Sequence, residues 1–158
     1  ANVGIHILYS GTVAAAVEAA IMGFPSIAVS FEITDQYADV AEAAKVAREV
    51  IERIIKHKLP KGSLLNVNIP SRPSNQIKGI KITRQFAHDF KETFDKRTDP
   101  SGRAYYWLMG TNKSIHREEG TDITAVNDGY ISITPLRYDL TDHGLYKKIE
   151  EWDWGNVS

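Results

Sequence analysis

The sequence predicts an α/β fold. Three observations carry it: a short apolar run at Ser26–Phe31, a strongly amphipathic stretch after it, and a second apolar run at Leu64–Ile69. Strand, helix and strand in that order make a right-handed parallel crossover, the unit of open α/β sheets.

The first element is a helix. From Thr12 to Met22, Val13, Val17 and Ile21 recur every four residues on a surface made small by Ala14, Ala15, Ala16, Ala19 and Ala20. Such a helix packs closely on a neighbour. Gly23 stops it, Pro25 prevents its continuation, and Ser26-Ile27-Ala28-Val29-Ser30-Phe31 then reads as a strand buried on both faces. In the next helix Val40, Ala43, Ala44, Ala47, Val50, Ile51, Ile54 and Ile55 form one stripe, with the charged residues elsewhere. It covers a sheet with that stripe. Asp35 and Asp39, just before it, suit the positive end of its dipole. After Pro60 and Gly62, Leu64-Leu65-Asn66-Val67-Asn68-Ile69 reads as a second central strand closed by Pro70.

Beyond Pro70 the pattern changes. Ile80 to Thr83 alternates as a strand, Asp99-Pro100-Ser101-Gly102 is a strong turn signal, and Arg103 to Met109 returns with Tyr105, Tyr106 and Trp107. We read residues 80–119 as a long β-hairpin arm whose aromatics call for a partner subunit or for packing on their own domain. Gly129 to Leu136 alternates apolar and hydroxyl residues as a strand, and Thr141 to Trp154 carries Leu145, Ile149 and Trp152 at helical spacing. Residues 1–79 and 120–158 are then parts of one core. Two strands buried on both faces need more neighbours than these residues supply, and the chain opens with no strand before its first helix, so it reads as a piece of a longer sheet.

Composition limits the chemistry. The chain has 158 residues, no cysteine, 19 basic against 20 acidic residues, and 42% hydrophobic content. That suits one globular domain, excludes thiol catalysis and thiolate zinc, and fits a reducing, cytoplasmic setting. The balanced charge gives no reason to expect a nucleic-acid polymer as partner. No apolar run approaches the roughly 18 residues that suggest a membrane span.

Ser10-Gly11-Thr12 opens the first helix. The first N–H groups of a helix lack internal partners and sit at the positive end of its dipole, so an anion binds there without a lysine. Gly11 admits an anion close to the backbone, while Ser10 and Thr12 each carry a hydroxyl donor. Ser10 also suits an ordinary N-cap, and both readings stand on the triplet alone. Asn2 and Gly4 lie in a loop able to fold over the same helix end, where Asn2 would orient a phosphate or ribose hydroxyl. Asp122 reads as the cap of a short helix and Asp128 as a turn residue before Gly129. The five histidines have no metal-like spacing; His6 merits a test because its loop adjoins the helix end. Arg84, His88 and Arg97 on the arm are candidates to meet a nucleotide base.

Ala1-Asn2-Val3-Gly4 with Leu8-Tyr9-Ser10-Gly11-Thr12-Val13-Ala14-Ala15-Ala16 resembles the SurE family (survival protein SurE) of metal-dependent 5′/3′-nucleotidases. The resemblance continues in order through Gly23 to Ser30, Leu65 to Pro70, Ile77 to Ile80 with Thr83-Arg84, Gly120-Thr121-Asp122, Ala125-Val126 and Gly129 to Leu136. It implies a Rossmann-like three-layer fold here missing its N-terminal strands, a nucleoside monophosphate substrate, and a divalent cation, Mg²⁺ or Mn²⁺, that polarises the phosphoryl group. It also implies that Asn2, Ser10, Gly11 and Thr12 border the phosphate. A homo-oligomer, dimer or tetramer, is expected through the arm and the C-terminal helix. The family's N-terminal Asp-Asp pair, its serine loop and its metal-ligand asparagine do not occur here, so no metal ligand is assigned and these residues alone are expected to be inactive. The alternative is a non-catalytic module that keeps the phosphate pocket and assembles through its arm.

Overall fold

A computed structural model describes residues 1–34, 39–87, 92–111 and 117–155. Asp35 and His88 fall outside them. The elements are a 3-10 turn Gly4–Tyr9, α1 Gly11–Ile21, β1 Ser26–Phe31, α2 Val40–Ile55, β2 Leu64–Ile69, a 3-10 turn Ser74–Gln76, β3 Ile80–Ile82, β4 Glu92–Thr98, β5 Ala104–Thr111, α3 Asp122–Asn127, β6 Ile131–Leu136 and α4 His143–Glu150.

The main sheet has the order β1-β2-β6-β3. β1 and β2 are parallel, with Ser26 opposite Leu64 and Phe31 opposite Ile69, as the crossover through α2 demands. β6 runs antiparallel to β2, and β3 runs parallel to β6. The strand that opens residues 80–119 therefore belongs to the main sheet, and the hairpin proper is β4–β5. β1 lies at the edge of the sheet rather than inside it.

Strand alternation sends different chemistry to the two faces. Ile27, Val29, Leu65, Val67, Ile131 and Ile133 pack with Val50 and Ile54 of α2, so one face is apolar. On the other face Ala28 and Leu64 pack with Val13, Ala16 and Ala20 of α1 and with Ile7 of the first turn. Small alanines bring α1 close enough for Ser26 Oγ to donate to Ala16 O at 2.7 Å. Helix, sheet and helix thus form three layers. Farther along this second face the residues become polar: Ser30, Asn66, Asn68, Ser132 and Thr134 share it by register. Asn66, Asn68 and Ser132 have no exposed surface.

The helix ends follow local chemistry. Ser10 Oγ accepts from Val13 N–H at 3.1 Å, and Asp39 Oδ1 from Glu42 N–H at 2.9 Å. Asp142 is the N-cap of α4 and accepts from Gly144 and Leu145, which starts that helix two residues later than its periodicity suggests. In the 99–103 turn the N–H of Arg103, its guanidinium and the N–H of Ser101 hold the Asp99 carboxyl below its ordinary value. Thr141 and then His143 lower the Asp139 carboxyl to about 2. Among the described residues no helix is long and apolar enough to cross a membrane.

Candidate functional site

The polar end of the second face lies at the C-terminal ends of β1 and β2, where open α/β sheets place their ligands. α1 runs back against β1 through a short connection, so its N-terminus stands at that same end. Two rows of groups build the site: a floor of strand side chains and a segment laid over it.

The floor holds Asn2 by its main chain. Asn2 N–H donates to Asn68 Oδ1 at 2.7 Å, and Asn2 O accepts from Asn66 Nδ2 at 2.8 Å and Asn68 Nδ2 at 3.2 Å. The side chain is held as well, because Asn2 Nδ2 donates to Ser30 Oγ at 2.6 Å. Asparagine is a poor strand residue, yet two sit in β2 because their amides replace the water that this backbone gave up. Asn66 Oδ1 and Ser132 Oγ, also on the floor, have no protein partner among the described residues.

Gly4 comes next. Its N–H donates to Asp122 Oδ2 at 2.8 Å and its carbonyl accepts from Gln85 Nε2 at 3.0 Å. Its φ is +59°, and a Cβ there would stand 3.0 Å from Ile123 Cδ1 and 3.2 Å from Phe86 O, so conformation and space both require glycine. The 3-10 turn that begins at Gly4 carries the chain to Ser10 and buries Ile7. His6, in that turn, is exposed.

At the helix end the Ser10 oxygen caps Val13, which leaves the Ser10 hydroxyl hydrogen to donate elsewhere. Ala14 N–H is taken by Ser10 O at 2.9 Å. The N–H groups of Gly11 and Thr12 have no partner among the described residues, and both residues are exposed. Nothing lies within 4 Å of the place a Gly11 Cβ would occupy. Two amide donors and the exposed Thr12 side chain, beside the half-buried Ser10 hydroxyl, therefore stand at the positive end of an 11-residue helix.

Asp122 does not cap a helix as its sequence suggests. Thr121 is the N-cap residue of α3, and the Asp122 carboxylate, wholly buried, accepts from Gly4 on one oxygen and from Phe86 and Ile123 on the other. Contacts 118 and 36 residues apart in sequence leave no local pattern. The two asparagines of β2 are visible in the sequence as polar residues interrupting an apolar strand, which is the signal for a polar floor. Asp128 pairs with Arg117, Arg84 with Glu118, and Arg97 with Asp95 while lying over the Trp107 ring. Two clefts are lined by other residues. One of about 440 Å³ is lined by Glu32, Thr34, Ser71 and Arg72; another of about 500 Å³ lies beside Lys81, Arg117 and Asp128.

A divalent cation does not fit the residues present. Such an ion wants several oxygen ligands, chiefly carboxylates, and no three Asp, Glu or His side chains cluster to hold one among the described residues. Asp122, the buried carboxylate of the site, is committed to N–H donors.

Fold and site together define an α/β protein of the open-sheet type, with a helix N-terminus over a polar floor at the strand ends. The family model described as Survival protein SurE matches residues 1–92, and the chain belongs to that family. It is 44% identical over 158 residues to a 5′-nucleotidase SurE of Heliobacterium modesticaldum, covering 99% of this chain and 57% of the relative. To a protein of the same name from Natranaerobius thermophilus it is 45% identical, over 98% of this chain and 60% of the relative. Among solved structures, the SurE protein from Aquifex aeolicus superposes with a TM-score of 0.81 at 42% identity, over 95% of this chain and 60% of that one. The chain thus spans about three fifths of the length of these relatives.

Proposed function

We propose that these residues are the phosphate-holding part of a nucleoside monophosphate phosphohydrolase, with Ser10, Gly11 and Thr12 at the phosphate and Asn2 and Gly4, whose main-chain groups are already hydrogen-bonded, in the segment that leads to it. The observation that carries this reading is the exposed end of α1, where the N–H groups of Gly11 and Thr12 have no partner among the described residues, the Ser10 and Thr12 hydroxyls stand beside them, and nothing lies within 4 Å of where a Gly11 Cβ would be. Donors fixed there before the reaction stabilise charge as it develops on the transferring group. The relatives' name supports the substrate class. For the Mg²⁺ or Mn²⁺ that the family resemblance implies, no cluster of three Asp, Glu or His side chains occurs among the described residues.

Thr12→Val in the whole protein tests the reading. The substitution removes one hydroxyl from an exposed position, and a hydrogen bond to a charged group is worth about 1.5–3 kcal/mol. We expect turnover of a nucleoside monophosphate to fall about tenfold or more with the melting temperature nearly unchanged. Unaltered hydrolysis makes Thr12 a structural residue only, and no hydrolysis by the parent protein leaves the binding module as the reading.

The same reading assigns the hairpin and α4 to a homo-oligomer contact, in a cytoplasmic enzyme. Phe94, Tyr106 and Trp107 are each more than half exposed on the hairpin, and α4 buries none of its residues. Exposed aromatics at this density are characteristic of interfaces. Phe94→Ser combined with Trp107→Ser is expected to lower the mass found by light scattering to that of a smaller assembly; an unchanged mass removes the hairpin from the contact. A deletion starting at Phe86 is unsuitable, because that side chain is 4% exposed and belongs to the core.

A further inference from the structure

Asp122 is a carboxylate with no exposed surface and no ion pair among the described residues. Burying a carboxylate costs several kcal/mol unless its oxygens are satisfied, and a short helix is started more simply by an exposed cap. The hydrogen bonds show what this buried charge holds together. Oδ2 takes Gly4 N–H at 2.8 Å; Oδ1 takes Phe86 N–H at 3.0 Å and Ile123 N–H at 2.8 Å. Bonds of this charge-assisted kind are the stronger ones in proteins.

Phe86 belongs to the root of the hairpin, the point where the chain leaves the sheet for β4 and returns from β5. That root is closed by its own bonds: Arg84 N–H to Gly120 O at 3.0 Å, Asp122 N–H to Arg84 O at 3.0 Å, and the Arg84–Glu118 ion pair. The neighbouring Gln85 reaches across to the Gly4 carbonyl at 3.0 Å. Both main-chain groups of Gly4 are therefore gripped from the hairpin root and α3, and neither by the sheet. Gly4 in turn begins the turn that delivers Ser10 to the helix end.

We propose that Asp122 is a positioning residue of the anion site, through which the root of the hairpin fixes the Asn2–Ser10 segment. This rests on Ser10–Thr12 holding phosphate. The carboxylate sets Gly4 and Phe86 against one another, so the placement of the hairpin and the geometry around the anion are determined together.

The test is D122N in the whole protein. Asparagine keeps one acceptor oxygen and turns an N–H donor toward either Gly4 or Phe86, so one of the two ties is lost at nearly constant volume. We expect the inhibition constant for inorganic phosphate and KM for a nucleoside monophosphate to rise about tenfold together, and the Gly4 and Phe86 amides to exchange faster together. V50A, in α2 against the opposite face of the sheet, supplies the comparison: it lowers the melting temperature but leaves phosphate affinity unchanged. Phosphate affinity within twofold of the parent in folded D122N overturns the proposal. If D122N does not fold, Q85A removes the bond to the Gly4 carbonyl alone; phosphate affinity weakened severalfold supports the proposal and unchanged affinity overturns it. A parent protein that binds no phosphate fails the phosphohydrolase reading before any variant is compared, whereas a binding parent with an unaltered variant fails this inference alone.

Discussion

Gly11→Ala is expected to lower turnover of the whole protein about a hundredfold while leaving its fold at least as stable. The two effects separate because they arise in different places. Nothing within 4 Å opposes a Cβ at position 11, and Gly11 is not among the glycines with positive φ, so the methyl costs the folded state no strain. Alanine inside a helix is better than glycine by up to about 1 kcal/mol, and somewhat less at the first position. A Cβ on a helix leans toward the N-terminus, so the methyl enters the space in front of the Gly11 and Thr12 amides. An oxyanion displaced there by about 1 Å loses alignment with its donors, a misplacement that costs about 10²-fold in rate. Steady-state kinetics beside thermal unfolding reads both quantities. Loss of stability together with activity would mean that Gly11 serves the helix; full activity would mean that no anion approaches this turn.

The helix end that carries this expectation is a local object, and local objects are legible in sequence. Val13, Val17 and Ile21 announce α1, Gly23 and Pro25 end it, and Ser10 precedes it, so residue pattern by itself puts Ser10-Gly11-Thr12 at a helix start. β1, α2 and β2 are legible for the same reason, since each spans enough residues for its period to show. β3 is legible as a strand but not in its pairing, because three alternating residues look alike whether they pair with β6 or lead a hairpin, and only the tertiary partner decides. The turn from Gly4 to Tyr9 has no period to detect. Asp122 precedes a helix and mimics a cap, while its real partners, Gly4 and Phe86, are remote in the chain. Local pattern therefore locates the ligand-facing end of the site and misses what holds it from behind.

What holds it from below is the pair of asparagines in β2, and they are expected to differ in worth. Asn68→Ala removes an acceptor from Asn2 N–H and a donor to Asn2 O, leaving the N–H unsatisfied at a half-buried position and a cavity beneath it. A lost buried partner costs about 1–3 kcal/mol and truncation in a closed interior adds to it, so a loss of about 3 kcal/mol is expected. For a chain of this size each kcal/mol moves the melting temperature by roughly 2–4 °C, which places the fall at about 6–12 °C. Asn66→Ala removes a donor to Asn2 O, which still keeps its bond from Asn68, and it also removes an oxygen that has no protein partner among the described residues. Its cost is expected to be smaller, about 1–2 kcal/mol, although both side chains have no exposed surface and equal volume. Burial alone ranks the two positions as equals; hydrogen bonding ranks Asn68 above Asn66. Thermal unfolding of the two variants decides between these accounts, and equal losses would mean that the floor supports Asn2 by packing rather than by its amides.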